Sequence, residues 1–204
     1  MTHGEKAGAL FLEGYNCAQS VVLAFADEMG IPKETAARIA SSFGGGLGRL
    51  REVCGCVSGM AIVAGELLGY SGPETRKPKA DHYVLIQELA EEFRKENGSI
   101  ICRDLLSGIT SDTAPVPEAR TDDYYKKRPC KDLAVCAAEI LERKLEERKA
   151  QDLEKNGQKK ERIKKAAVMT SLPVCGERPH GRRFLYGLSR EWLNGTSYIT
   201  PAGR

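Results

Sequence analysis

Along most of the chain apolar residues recur every three to four positions, the spacing of one buried stripe on an α-helix. From Asn16 to Met29 the stripe runs through Cys17, Ala18, Val21, Val22, Phe25 and Met29. Asn16 is a good N-cap, Gly30 suits the C-terminal end, and Pro32 opens a second short helix to Ser42. A glycine-rich loop, Phe43 to Val53, leads into Cys54, beyond which Val57, Met60, Ala64 and Leu67 mark another helix that Gly69 ends. A longer helix is predicted from about Ala80 to Asn97, with Ile86, Leu89 and Phe93 on one face and Gly98 as its stop. Ser99 to Leu106 reads as a short helical turn and Ser107 to Arg128 as an irregular connection carrying the Tyr124-Tyr125 pair. Pro129 restarts a helix with Leu133, Ala134, Ala137, Ile140 and Leu141 on its apolar side. That helix continues to Lys165, but there the stripe fades among Lys, Arg and Glu at three- and four-residue spacing, the pattern of a solvated face.

Alternating β-branched segments and fixed-period repeats are missing. The expected fold is all-α, a compact bundle of about five or six helices with a long charged C-terminal helix and an irregular tail. Residues 1–145 form the expected domain, 146–167 a charged helical extension, and 168–204 a tail whose Phe184, Leu185, Tyr186 and Trp192 follow no period. The net charge of +3 gives no whole-molecule field for nucleic acid. No apolar run approaches the roughly 18–20 residues of a spanning helix, so no membrane insertion is expected. Met1 to Lys6 runs straight into an amphipathic pattern, which points to a cytoplasmic protein.

Seven cysteines, an odd number, argue against a fully paired disulfide framework and for thiolate or metal chemistry. Cys17, Cys54, Cys102 and Cys130 each fall at the predicted first turn of a helix. Unsatisfied N–H groups and the positive end of the helix dipole stabilise a thiolate there, so these sulfurs can ligate metal or attack. Thiolates drawn together repel, and an iron cluster or Zn(II) would neutralise them. Cys54-Gly55-Cys56 could offer two sulfurs to one metal. On a regular helix, however, the two lie about 200° apart, which would make Cys54 the better ligand and Cys56 a packing residue. Cys136 is expected in the core, and Cys175, with only His180 nearby, is incidental. His3, His82 and His180 have no HExxH spacing, and GxSxG and CxxCH are absent. Gly44, Gly45, Gly46 and Gly48 follow a helix rather than a strand and lack a nucleotide-binding pattern. They suit close approach of backbone to a sulfur site, with Arg49 and Arg51 available to offset its charge.

These residues resemble a known family, the redox-active proteins named for a C, GCAxxG, C, C pattern. Asn16-Cys17-Ala18-Gln19 is similar to its first cysteine segment, Phe43 to Arg49 to its glycine loop, and Glu52 to Gly59 to its central motif. Cys102-Arg103-Asp104-Leu105-Leu106 and Cys130 complete the likeness, which covers roughly residues 5–145. It implies four principal cysteines, Cys17, Cys54, Cys102 and Cys130. Cys56 departs from the pattern, since members commonly have a small apolar residue there, and leaves open whether it replaces or joins Cys54 as a ligand. Gly55 and Gly59 of the central motif join the glycine loop and Arg49 as expected cofactor-contacting positions. The domain is also similar to the N-terminal part of split-Soret cytochromes, dimeric proteins with a non-haem iron centre, without their haem-attachment motifs. The expectation is therefore an iron-sulfur cluster serving electron transfer with a redox partner protein, in a homodimer. Two alternatives stay open. One is a metal-free thiol oxidoreductase or sulfur-handling enzyme, with Cys54 attacking and Cys56 or Cys102 resolving. The other is a zinc-stabilised interaction module.

Overall fold

A computed structural model describes residues 1–73 and 76–170, with side chains through 164. Its packing divides into two units, Met1–Gln158 and Lys159–Arg204; of the second, only residues 159–170, the end of a helix, are described. Cys175, His180 and the aromatic residues of the tail lie outside the described residues, as does the tail beyond 170.

Among the described residues there are nine helices and no strand, so the protein is all-α. Helix α1 spans His3–Leu12 and α2 Cys17–Ala24, followed by α3, Ala26–Met29, and α4, Lys33–Ala40. A 3-10 turn, Ser41–Phe43, leads into the glycine loop, and α5 then covers Gly55–Leu68. Next come α6, Arg76–Asn97, the single turn α7, Cys102–Leu105, α8, Asp122–Lys127, and α9, Cys130–Thr170. The count exceeds five or six because short turns stand apart. Phe25 leaves helical geometry (φ −106°, ψ 12°) and splits the stripe from Asn16 to Met29 into α2 and α3 without turning its buried face away. Thr121 caps α8 inside the stretch expected to be irregular, and α6 begins four residues before Ala80.

The local signals act as their chemistry demands. Asn16 caps α2 reciprocally with Gln19, each side chain accepting from the other's backbone N–H at 2.9 and 3.1 Å. Gly30 ends α3 in the left-handed region at φ 66°.

Helix α2 lies in the middle, packed against α1, α4 and α5, while α6 packs on α5. Its Ala18, Val21 and Val22 are fully buried. At Gly59 of α5 a Cβ would sit 2.9 Å from Val21 Cβ, so the glycine lets these two helices close. Gly8 of α1 does the same against Val135 of α9. Glu88 and Glu92 of α6 pair with Lys144 and Arg143 of α9. Among the described residues the last buried apolar side chain of α9 is Leu145; Leu153 and Ile163 are exposed, so the stripe fades where the pattern predicted. No helix among the described residues is long and apolar enough to cross a membrane.

Candidate functional site

Four elements deliver their cysteines to one place. Cys17 is the first residue of α2, Cys54 caps α5, Cys102 begins α7 and Cys130 begins α9. Together with Cys56 they line one cavity of about 60 Å³. That is several times the roughly 10–15 Å³ that admits one water. All five sulfurs are free thiols.

The glycine loop and α7 are stitched together by backbone bonds that fix two of these cysteines. Cys54 N–H donates to Ile100 O at 2.8 Å, and Cys102 N–H to Glu52 O at 2.7 Å, on either side of the bridge between Val53 and Ile101. The loop reaches this pairing by turning through left-handed geometry at Gly45, Gly46 and Gly48, and also at Leu47, Arg49 and Arg51, where a side chain is disfavoured. Gly46 is further pinned because a Cβ there would meet Cys102 Cβ at 2.7 Å. At Gly55 a Cβ would fall 2.5 Å from Cys17 Sγ.

Cys56 lies beside Cys54 at the cavity, one of the two places open to it. Cys54 is the N-cap of α5 with extended geometry (φ −55°, ψ 132°), so the 200° separation of a regular helix does not apply to the pair. Cys56 is wholly buried and hydrogen-bonds with both Cys17 and Cys54. Those bonds and burial push its thiol well above the ordinary range. The hydrogen bond from Cys56, helped by the N–H groups of Gly45, Ala18 and Cys17 itself and opposed by burial, draws Cys17 down to about 6. Burial, reinforced by the charges of Cys54 and Cys17 and opposed by Arg51, pushes Cys102 up to about 11. Burial and the same neighbours raise Cys130 to about 12 against the pull of Arg128. The fold thus favours the thiolate at Cys17 and the thiol at Cys56, Cys102 and Cys130.

Arg51, Arg120, Tyr124 and Arg128 also line the cavity. Sequence patterns pointed to Arg51 alone among them, since Arg120 and Arg128 lie in the connection without a period. Arg49 turns away, bonding Asp112 Oδ2 at 2.6 Å and the Ala114 carbonyl. Gly44 packs on the Asn16 side chain, Gly48 faces open space, and Gly59 serves the contact of α2 with α5, and none of these three lines the cysteine cavity. Cys136 sits at the edge of the core, half-buried, with its sulfur 3.2 Å from both Asn97 Nδ2 and Glu96 Oε2.

Residues 15–144 match the family described as "Putative redox-active protein (C_GCAxxG_C_C)". The chain belongs to this family. All five cysteines of the cavity fall inside the matched span, and membership of the family supports a redox role for the protein. No curated protein and no solved structure matches the chain. In this member the cysteine pattern lines a pocket. Its donor set is all sulfur, its backbone is glycine where sulfur comes close, and guanidinium groups offset negative charge. That chemistry fits an iron-sulfur group, which thiolates hold and N–H donors tune. Among the described residues no three His, Cys, Asp or Glu side chains form a group that could hold a metal ion as they stand.

Proposed function

We propose that the cavity is a redox centre that binds an iron-sulfur cluster through Cys17, Cys54, Cys102 and Cys130, with Cys56 beside them. The observation that carries this reading is the arrival of cysteines from α2, α5, α7 and α9 around a buried space larger than one water. An all-cysteine donor set drawn from four elements suits an iron-sulfur group, which thiolates hold. When bound, such a group supplies one-electron chemistry. Before loading, Cys56 and the Gly45 N–H stabilise the Cys17 thiolate. Arg51 reaches Cys102, and Arg128 lies close enough to draw on Cys130.

The test is anaerobic reconstitution with iron and sulfide, followed by metal and sulfide analysis and visible absorption. Serine at Cys17, Cys54, Cys102 or Cys130 should cut cluster content severely, whereas Cys136→Ser should not. A protein that remains colourless and iron-free, or takes up zinc alone, would sink the proposal.

One observation favours a second reading. The contacts that stabilise a thiolate gather on Cys17, rather than on the Cys54 expected to attack, and Cys56 is its hydrogen-bonded neighbour. In metal-free thiol exchange Cys17 would attack a substrate disulfide and release one thiol. Cys56 would then displace the second thiol, leaving a Cys17–Cys56 disulfide. Mass analysis after exposure to a disulfide substrate would find that bond; its absence in a colourless protein would end this reading too.

A further inference from the structure

A second pocket, of about 260 Å³, shares Asn16, Gly45, Arg51, Arg120, Tyr124 and Arg128 with the cysteine cavity, so the two adjoin. Its wall carries four guanidinium groups, those of Arg49, Arg51, Arg120 and Arg128, and one carboxylate, Glu118. Glu118 is engaged by Arg128 at 2.5 Å and reaches Arg49 at 4.0 Å. Asp112 pairs with Arg49, and only its backbone carbonyl serves Arg51. Even with the Cys17 thiolate counted, positive charge is left over.

Two donors have no acceptor. Arg51 is 4% exposed, yet its Nη2 makes no hydrogen bond, and Arg120 Nη1 is likewise buried and unpartnered. Arg120 is held in place with its guanidinium 4.7 Å from the Phe11 ring centre and 4.9 Å from that of Tyr124, while Nη2 donates to Tyr15 O at 3.2 Å. A buried guanidinium N–H without an acceptor is costly, and arginine forks are shaped to bind the oxygens of an oxyanion. Free donors on two side chains that line one pocket call for an acceptor with several oxygens, and the four of a tetrahedral anion serve more of them than the two of a carboxylate.

We propose that this pocket binds a small tetrahedral oxyanion, sulfate or phosphate in form, on Arg51 and Arg120 next to the cysteine cavity. The anion site rests on the arginines alone. Its use as the substrate pocket of the redox centre rests on the function proposed above.

The test uses the full chain, reduced and metal-free, titrated calorimetrically with sodium sulfate, phosphate or acetate against chloride at constant ionic strength. Saturable binding of sulfate or phosphate is expected, the tighter of the two naming the ligand, with acetate at least tenfold weaker. Arg120→Gln and Arg51→Gln should each weaken binding tenfold or more, and Arg143→Gln, remote on α9, should leave it unchanged. Tetrahedral anions binding no better than chloride or acetate, or unchanged affinity in Arg120→Gln, would overturn the proposal. If both arginine variants fail to fold, the wild-type protein still decides the matter. Sulfate should slow alkylation of Cys17 by iodoacetate severalfold where chloride does not, and equal rates would overturn the site. Where iron and sulfide are taken up, the titration is repeated on the loaded protein. Retained binding supports the site, whereas displacement of sulfate would assign the free N–H groups to the cluster and overturn it. Failure of iron uptake with sulfate binding intact sinks the cluster alone.

Discussion

Gly55 and Gly59 stand one turn apart on α5 and permit different things. A Cβ at Gly55 would collide with Cys17 Sγ, whereas one at Gly59 would press on Val21 Cβ, inside the contact with α2. Both alanine variants should lose about 1–3 kcal/mol of stability by overpacking, measured by urea unfolding. Only Gly55→Ala is expected to change the alkylation rate of Cys17 as well; an equal change in Gly59→Ala would mean that the two sites are mechanically one. Cys17 offers a second measurement. Its folded value, about 6, lies below the ordinary thiol value of 9.0, so the thiolate persists at neutral pH and is lost as pH falls through about 6. In the metal-free protein the rate of alkylation by iodoacetamide should follow that titration. Cys56→Ala removes the principal donor and should move the midpoint upward; a midpoint unmoved would show that backbone N–H groups suffice.

Among the elements, what could be read in the sequence was what neighbours in the chain decide. Asn16, Gly30, Gly69 and Gly98 bound their helices because capping and left-handed turns are chemistry of a few adjacent residues. The same locality placed Cys17, Cys102 and Cys130 at helix starts. The break at Phe25 was hidden because it leaves the buried stripe in phase. The inward place of Cys56 was hidden because it depends on whether Cys54 is inside or just before α5. Arg120 and Arg128 gave no signal at all, since they meet Arg51 only after the chain has folded back across some 70 residues. Gly65 provides a control at this scale: it lies within α5 with nothing within 4 Å of a would-be Cβ. Gly65→Ala should therefore stabilise the protein by about 0.5–1 kcal/mol through helix propensity, seen as a higher urea midpoint with unchanged Cys17 reactivity.

For the whole molecule, the four principal cysteines are separated by up to 113 positions and meet only in the folded state. Anything that binds them there and not in the unfolded chain stabilises the fold by mass action. The cavity also carries an opposing cost, since two guanidinium N–H groups beside it go without acceptors. Reconstitution should therefore raise the thermal midpoint of the wild-type protein, and chelation under anaerobic conditions should return it to the starting value. The gain should shrink alike in Cys17→Ser and Cys130→Ser, although one residue begins α2 and the other α9, because the loaded site ties both helices together. A gain that survived in Cys130→Ser would confine the bound group to α2, α5 and α7. Helix α9 would then contribute only its packing against α1 and α6.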